Sequence, residues 1–288
     1  MDRDRLICQG NRMEPGSAHP QRCAMVFAHP GHELLAAGLI QRHRPHLLFL
    51  TRADSAGDAE REALARHGLQ QLGLADRTTF LSVSDLDVYR WLLEGDVASF
   101  LQLRGRLVEW LDAIRPTILF GDAFELWNVV HDTARALLDS AWRECRRRFP
   151  CDNYELPLVC RTEPGPWNHR FQEFPSGPFE TIHLNDIERK VKQSLADWMT
   201  AQRAEAEMVR PFFSLEREIF RRVSAERDYA KPPEGLCLHY DEWGRLQVQS
   251  GKYEKAILFA EHFVPLVREL PWLQVTTGAE LAGSAPNR

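Results

Sequence analysis

Two short stretches of this chain gather imidazoles and carboxylates within a few residues of each other. The first is Ala28-His29-Pro30-Gly31-His32-Glu33. The second runs Gly121-Asp122-Ala123-Phe124-Glu125-Leu126-Trp127-Asn128-Val129-Val130-His131-Asp132. His29, His32 and His131 make a set that suits a divalent ion, since catalytic zinc takes three protein ligands and leaves a fourth position to water. The ion lowers the pKa of that water to about 7 and so delivers hydroxide at neutral pH. Asp122, Glu125, Asp132 and Glu33 lie near enough in sequence to orient the imidazoles or to take a proton. A His-x-x-His pair alone is weak, because surface pairs with that spacing are common. Its weight here comes from its place at the end of a strand. His43, His46 and His67 read as surface or structural residues, and His169, His183, His239 and His262 have no usable partner spacing. Asp54, Asp85 and Asp87 suit a turn or N-cap better than the crevice.

The positions of both stretches follow from the elements around them. Cys23–Ala28, His46–Thr51, Thr78–Leu81, Thr117–Phe120 and Leu156–Cys160 are short apolar runs that read as strands. Between them, Glu33–Gln41, Asp58–Leu74, Val97–Ile114 and Asp132–Arg148 read as helices. Short apolar strands alternating with helices predict an α/β fold, a parallel sheet flanked by helices. In such sheets functional groups collect beyond the carboxyl ends of the strands. The two polar stretches follow the first and fourth strands.

From residue 181 the pattern changes. Asn185–Met208 reads as a long charged helix, Phe212–Arg227 as a second helix, Leu236–Val248 as a hairpin turned at Trp243-Gly244, and Lys255–Leu270 as a closing helix. This divides the chain into a flexible tail at 1–20, a metal-binding core at 21–178, a helical and hairpin C-terminal extension at 179–278 packed on the core, and a tail at 279–288. Trp167, Phe171 and Phe174, in the Pro/Gly-rich segment Arg161–Gly177, suit either a lid over the crevice or packing in the core.

Composition excludes several classes. The chain has 288 residues, 44% of them hydrophobic, which is enough for a sizeable core. A net charge of −5 and no polybasic stripe argue against nucleic-acid binding. No apolar run approaches the roughly 20 residues of a membrane span. No apolar stretch precedes Cys23, so no secretory signal is expected. Six scattered cysteines without a CxxC pair predict a reduced, cytoplasmic protein, which disfavours a Cys151–Cys160 bridge. Oligomeric state is not readable.

The motifs resemble those of the PIG-L/LmbE-like zinc-dependent de-N-acetylases, over roughly Cys23 to Cys160. Ala28-His29-Pro30 and Glu33 match outright, and Asp122 followed by Asn128-x-x-His131-Asp132 matches loosely. The resemblance implies a Rossmann-like fold and removal of acyl groups from amino sugars or related small metabolites. The family's first motif is usually Ala/Pro-His-Pro-Asp-Asp-Glu, with its first aspartate as general base and its second as a zinc ligand. Here Gly31 stands at the base position and His32 at the ligand position, while the assisting histidine of the later motif is Asn128. Metal binding therefore carries over as His29, His32 and His131, with Zn²⁺ expected and Fe²⁺ as the alternative. Asp122, Glu125 and Asn128 are the candidate catalytic residues, and no organic cofactor is expected. The leading function is a metal-dependent amide hydrolase. The alternatives are a non-hydrolytic metal-dependent biosynthetic enzyme on the same scaffold and a non-catalytic binding protein.

Overall fold

The computed structural model describes residues 22–52, 58–164, 170–202 and 214–272. Strands β1 (Cys23–Phe27), β2 (His46–Arg52), β3 (Thr78–Ser84), β4 (Ile118–Asp122) and β5 (Asp152–Leu156) pair in parallel in the order β3-β2-β1-β4-β5. Helices α1 (Ala37–His43), α2 (Asp58–Gln71), α3 (Asp85–Glu94), α4 (Val97–Ile114) and α5 (Val129–Cys145) connect them. The fold is α/β. The order reverses between β1 and β4: the chain leaves β1 toward β2 and leaves β4 toward β5. That is where the loops after adjacent parallel strands part and open a crevice.

Alternation along β1 explains why the sheet is covered on both faces. Ala24 and Val26 belong to one apolar cluster, with Leu103, Leu107 and Leu111 of α4 and Leu137 of α5. Cys23, Met25 and Phe27 belong to another, with Leu39 and Ile40 of α1. Near-continuous hydrophobic strands of this kind require helices on both sides.

The C-terminal part departs from the sequence reading in two places. Arg217–Arg222, expected within a helix, is strand β9, antiparallel to β5 and followed in the sheet by β8 (Glu180–His183), so the sheet has seven strands and is mixed. Its pairing groups are met by the open edge of β5, a partner that local pattern does not reveal. Leu236–Val248, expected as a hairpin, instead holds helix α7 (His239–Gln249). Gly244 is not a turn residue there. A Cβ at that position would meet Ala256 Cβ at 3.1 Å, so the glycine lets two segments approach closely.

Smaller differences have local causes. The run Leu156–Cys160 breaks at Pro157, which cannot donate to a ladder; Val159–Cys160 becomes β6 of a separate ribbon with β7 (Arg170–Phe171). Helix α3 was not expected, yet Ser84 caps it in a capping box with Asp87. The first connection is a 3₁₀ turn (His32–Leu34) followed by α1 rather than one continuous helix. Helix α6 (Asp186–Gln202) follows the expected charged helix as far as the described residues go. The closing helix shortens to a π-turn (Phe259–Phe263) leading into α8 (Val264–Glu269). Phe174 stacks near Phe179 and under Arg221, while Trp167, His169, Asp54 and both tails, 1–20 and 279–288, lie outside the described residues. The cysteines described are free thiols, Cys151 and Cys160 among them. Among the described residues no helix is long and apolar enough to cross a membrane.

A buried polar knot joins α5 to the C-terminal segment. Asp139 is fully buried and accepts from Arg135, from Asn153 Nδ2 at 2.7 Å and from the Tyr229 hydroxyl. Such a carboxylate is tolerated only when its oxygens are filled. Tyr229→Phe removes one donor and leaves the acceptor buried, so it should cost about 1–3 kcal/mol in equilibrium denaturant unfolding.

Candidate metal centre

His29 follows β1, His32 opens the 3₁₀ turn, and His131 lies in the first turn of α5. One ring nitrogen of each lies within 4.8 Å of the others. The ring centroids are 4.2 to 5.0 Å apart, and Nε2 of His29 is 3.1 Å from Nε2 of His131. Tetrahedral zinc with Zn–N bonds of about 2.0–2.1 Å puts ligand nitrogens about 3.3–3.4 Å apart. The His29–His131 pair is close to that spacing, and His32 lies within 4.8 Å of both.

The second nitrogens fix the tautomers. His32 Nδ1 donates to Asp122 Oδ2 at 2.8 Å, which leaves Nε2 with a lone pair. His29 Nδ1 faces the Pro30 carbonyl at 3.4 Å. His131 Nδ1 faces Glu125 Oε2 at 4.0 Å, and both atoms are buried without a hydrogen-bond partner. His131 thus turns Nδ1 toward Glu125 and Nε2 toward His29 and the centre of the cluster. A cation held by the cluster would take the His131 Nε2 lone pair and leave its proton on Nδ1, aimed at Glu125. The donor set fits a metal. Burial and the neighbouring imidazoles hold His32 and His131 well below the usual imidazole range, so both are neutral and ready to ligate at pH 7.

The acids take distinct places. Asp122 ends β4, and its Oδ2 also accepts from the Ala28 N–H at 2.6 Å; its Oδ1 is buried with no partner. Burial raises its carboxyl to about 6, against the pull of His131. Glu125 Oε1 accepts from the N–H groups of Leu158 and Val159, leaving Oε2 toward His131. Burial pushes Glu125 well above the usual carboxylate range and Glu33 up to about 7. Asp132 is committed to the backbone. Its oxygens accept from the N–H groups of Glu125 and Leu126 at 2.9 to 3.2 Å. That pins Leu126 at φ 59°, a left-handed conformation costing of order 1–3 kcal/mol for a residue with a side chain. Asn128 caps α5 by accepting from Val130 N–H at 2.8 Å.

Two neighbours escaped the sequence reading. Tyr89 on α3 shares a hydrogen bond with Asn128, and burial raises its phenol. His239 on α7 stacks on Trp127 with the rings nearly parallel and their centroids 3.8 Å apart, and receives Arg161 on Nδ1 at 3.0 Å. A capping box at Ser84 could have revealed the first; nothing local marks the second.

No protein-family model matches the chain, and no curated protein matches it in sequence. Solved structures similar to it include the zinc-inhibited form of teicoplanin deacetylase Orf2, at 11% identity and TM-score 0.46, covering 71% of this chain and 99% of that one. The antimicrobial reagent A40926 pseudoaglycone deacetylase Dbv21 is 16% identical at TM-score 0.46, covering 82% and 95%. The conserved protein TT1542 from Thermus thermophilus is 17% identical at TM-score 0.47, covering 71% and 95%.

Gly31 has φ 108° and donates its N–H to Glu33 Oε2 at 2.6 Å. A side chain there is strained whatever its chemistry. Gly31→Ala should lose about 1–2 kcal/mol in denaturant unfolding of the metal-stripped protein, and Gly31→Asp no less.

Proposed function

We propose that the chain is a metal-dependent amide hydrolase of the de-N-acetylase type, acting on an N-acylated amino sugar or a related small metabolite. The observation that carries the proposal is the meeting of three imidazoles with a carboxylate that keeps one oxygen unpartnered. His29, His32 and His131 would hold the ion, Zn²⁺ first and Fe²⁺ as the alternative. Such an ion supplies Lewis acidity and water ionised near neutral pH.

The remaining work falls to the protein. Asp122 Oδ2 holds His32 in orientation, while Oδ1, which has no partner, would accept the proton of attacking water. Burial raises the Asp122 carboxyl, the direction that would let it hold a proton taken from water and return it to the leaving amine. Glu125 faces His131 and steadies its proton on Nδ1. Asn128 fixes the start of α5, and with it the direction of His131. Hydrolysis consumes one water and releases a carboxylate and a free amine. A non-hydrolytic reaction at the same centre is the second reading, favoured by the lack of a side chain at Gly31.

Metal analysis of protein purified without added metal should find one equivalent of zinc or iron, and His32→Ala should lose it. Full retention of metal in His32→Ala removes His32 from the ligand set. Screening N-acyl amino sugars for acetate and amine release separates hydrolysis from the second reading. Asp122→Asn should keep the metal and lower turnover by about 10²–10⁴-fold. Undiminished turnover in that variant moves the proton to Glu125 or to water alone.

A further inference from the structure

The turn that carries His32 is held from below by the C-terminal part of the chain. Leu35 N–H donates to the His32 carbonyl at 3.0 Å, closing the turn. The Leu35 carbonyl in turn accepts from Lys192 Nζ on α6 and from Gln172 Nε2, both at 3.0 Å. Immediately after it, the Gly38 and Leu39 N–H groups donate to the two oxygens of Glu218 on β9, each at 2.8 Å. Lys192 Nζ and Glu218 Oε1 are 2.9 Å apart, and both side chains are essentially inaccessible to solvent. Gly38 leaves no slack, since a Cβ there would lie 2.3 Å from Leu184 Cδ2 and 3.1 Å from Glu218 Oε1.

A pair of opposite charges buried this deeply is a poor source of stability, because desolvation offsets most of the attraction. What it does supply is direction. The ammonium points at the carbonyl that ends the His32 turn, and the carboxylate at the N–H groups that begin α1. We infer that Lys192 and Glu218 are positioning residues for the metal-binding turn, so that the C-terminal segment sets cation affinity without contributing a ligand. The inference rests on reading His29, His32 and His131 as the cation site. It extends that reading to residues far along the chain that contribute no ligand.

Zinc titration of the metal-stripped protein, followed with a competing chromophoric chelator, tests it. Lys192→Met and Glu218→Gln should weaken zinc binding by about 10–100-fold, the scale on which groups supporting the ligands act. Arg104→Met is the control. Arg104 is buried between α4 and α5, donating to Ser140 and pairing with Glu144, away from the His32 turn. It should lower the thermal midpoint and leave zinc affinity as in the wild type. Should Lys192→Met fail to fold, the near-isosteric Glu218→Gln carries the comparison. Zinc affinity within about twofold of wild type in the folded variants, well short of that scale, overturns the positioning role. A wild-type protein that takes up no cation overturns the metal-site reading itself, and that result is visible before any variant is compared.

Discussion

One carboxylate oxygen, Oδ2 of Asp122, joins the two halves of the candidate site. It accepts the Ala28 N–H, where β1 leaves the ladder, and the Nδ1 proton of His32. The geometry depends on β1 and β4 being adjacent and parallel, with Val26 opposite Gly121. The next residue of β4 then ends beside the first residue beyond β1. Loss of that carboxylate would leave a buried N–H without its acceptor and free an imidazole to rotate. Closure of the strand ends and orientation of His32 are therefore one interaction.

The rest of the site is dense in buried polar groups. Asp122, Glu125, Asp132 and Glu33 are all buried, and burial raises each of their carboxyls. Asp132 and Glu33 commit oxygens to backbone N–H groups, which explains how the loops hold conformations such as φ 59° at Leu126. Below the second loop Glu155 is fully buried, held by Arg221 and Arg227 and facing the Phe124 N–H at 3.4 Å. Burial alone would raise its carboxyl, but the arginines bring it down to about 2. Strand β9 thus reaches both ligand loops, Glu218 toward the first and Arg221 toward the second. The two positions are an odd number apart, and period-two side-chain direction sends them to opposite faces of a single strand.

How far the sequence alone could be read depended on where each partner lay. The parallel strands β1 to β4 and helix Val97–Ile114 were legible because their apolar spacing and end signals are local. His29, His32 and His131 were legible as a set because each follows a strand end, and strand ends converge in this architecture. Helix α3 is signalled by Ser84 and Asp87, but Asp85 and Asp87 taken singly suit a turn or an N-cap and do not announce a helix. Strand β9 and helix α7 were misread for a different reason. Paired aromatics and a Trp-Gly step are ambiguous until their long-range partners, the edge of β5 and Ala256, are known. The Lys192–Glu218 pair was not visible at all, since nothing in either segment says which buried group it will meet.

Gly31 bears most directly on the chemistry. In the resembled family a carboxylate at that position is the base, whereas here the backbone turns through φ 108° and its N–H is committed to Glu33. A carboxylate would have to be carried by a strained residue, so in the proposed site the acid comes from the other strand end, on Asp122. The division of labour between the loops is thereby altered. The first loop provides two imidazoles and no free acid; the second provides one imidazole and the acids. Three neutral ligands leave an ion its full double charge, whereas a carboxylate ligand would cancel part of it. Water near such an ion is more acidic and asks less of its proton acceptor. In the proposed site a carboxylate already shared between Ala28 and His32, with only Oδ1 to spare, would be a modest acceptor, and three neutral ligands are the set with which a modest acceptor would suffice.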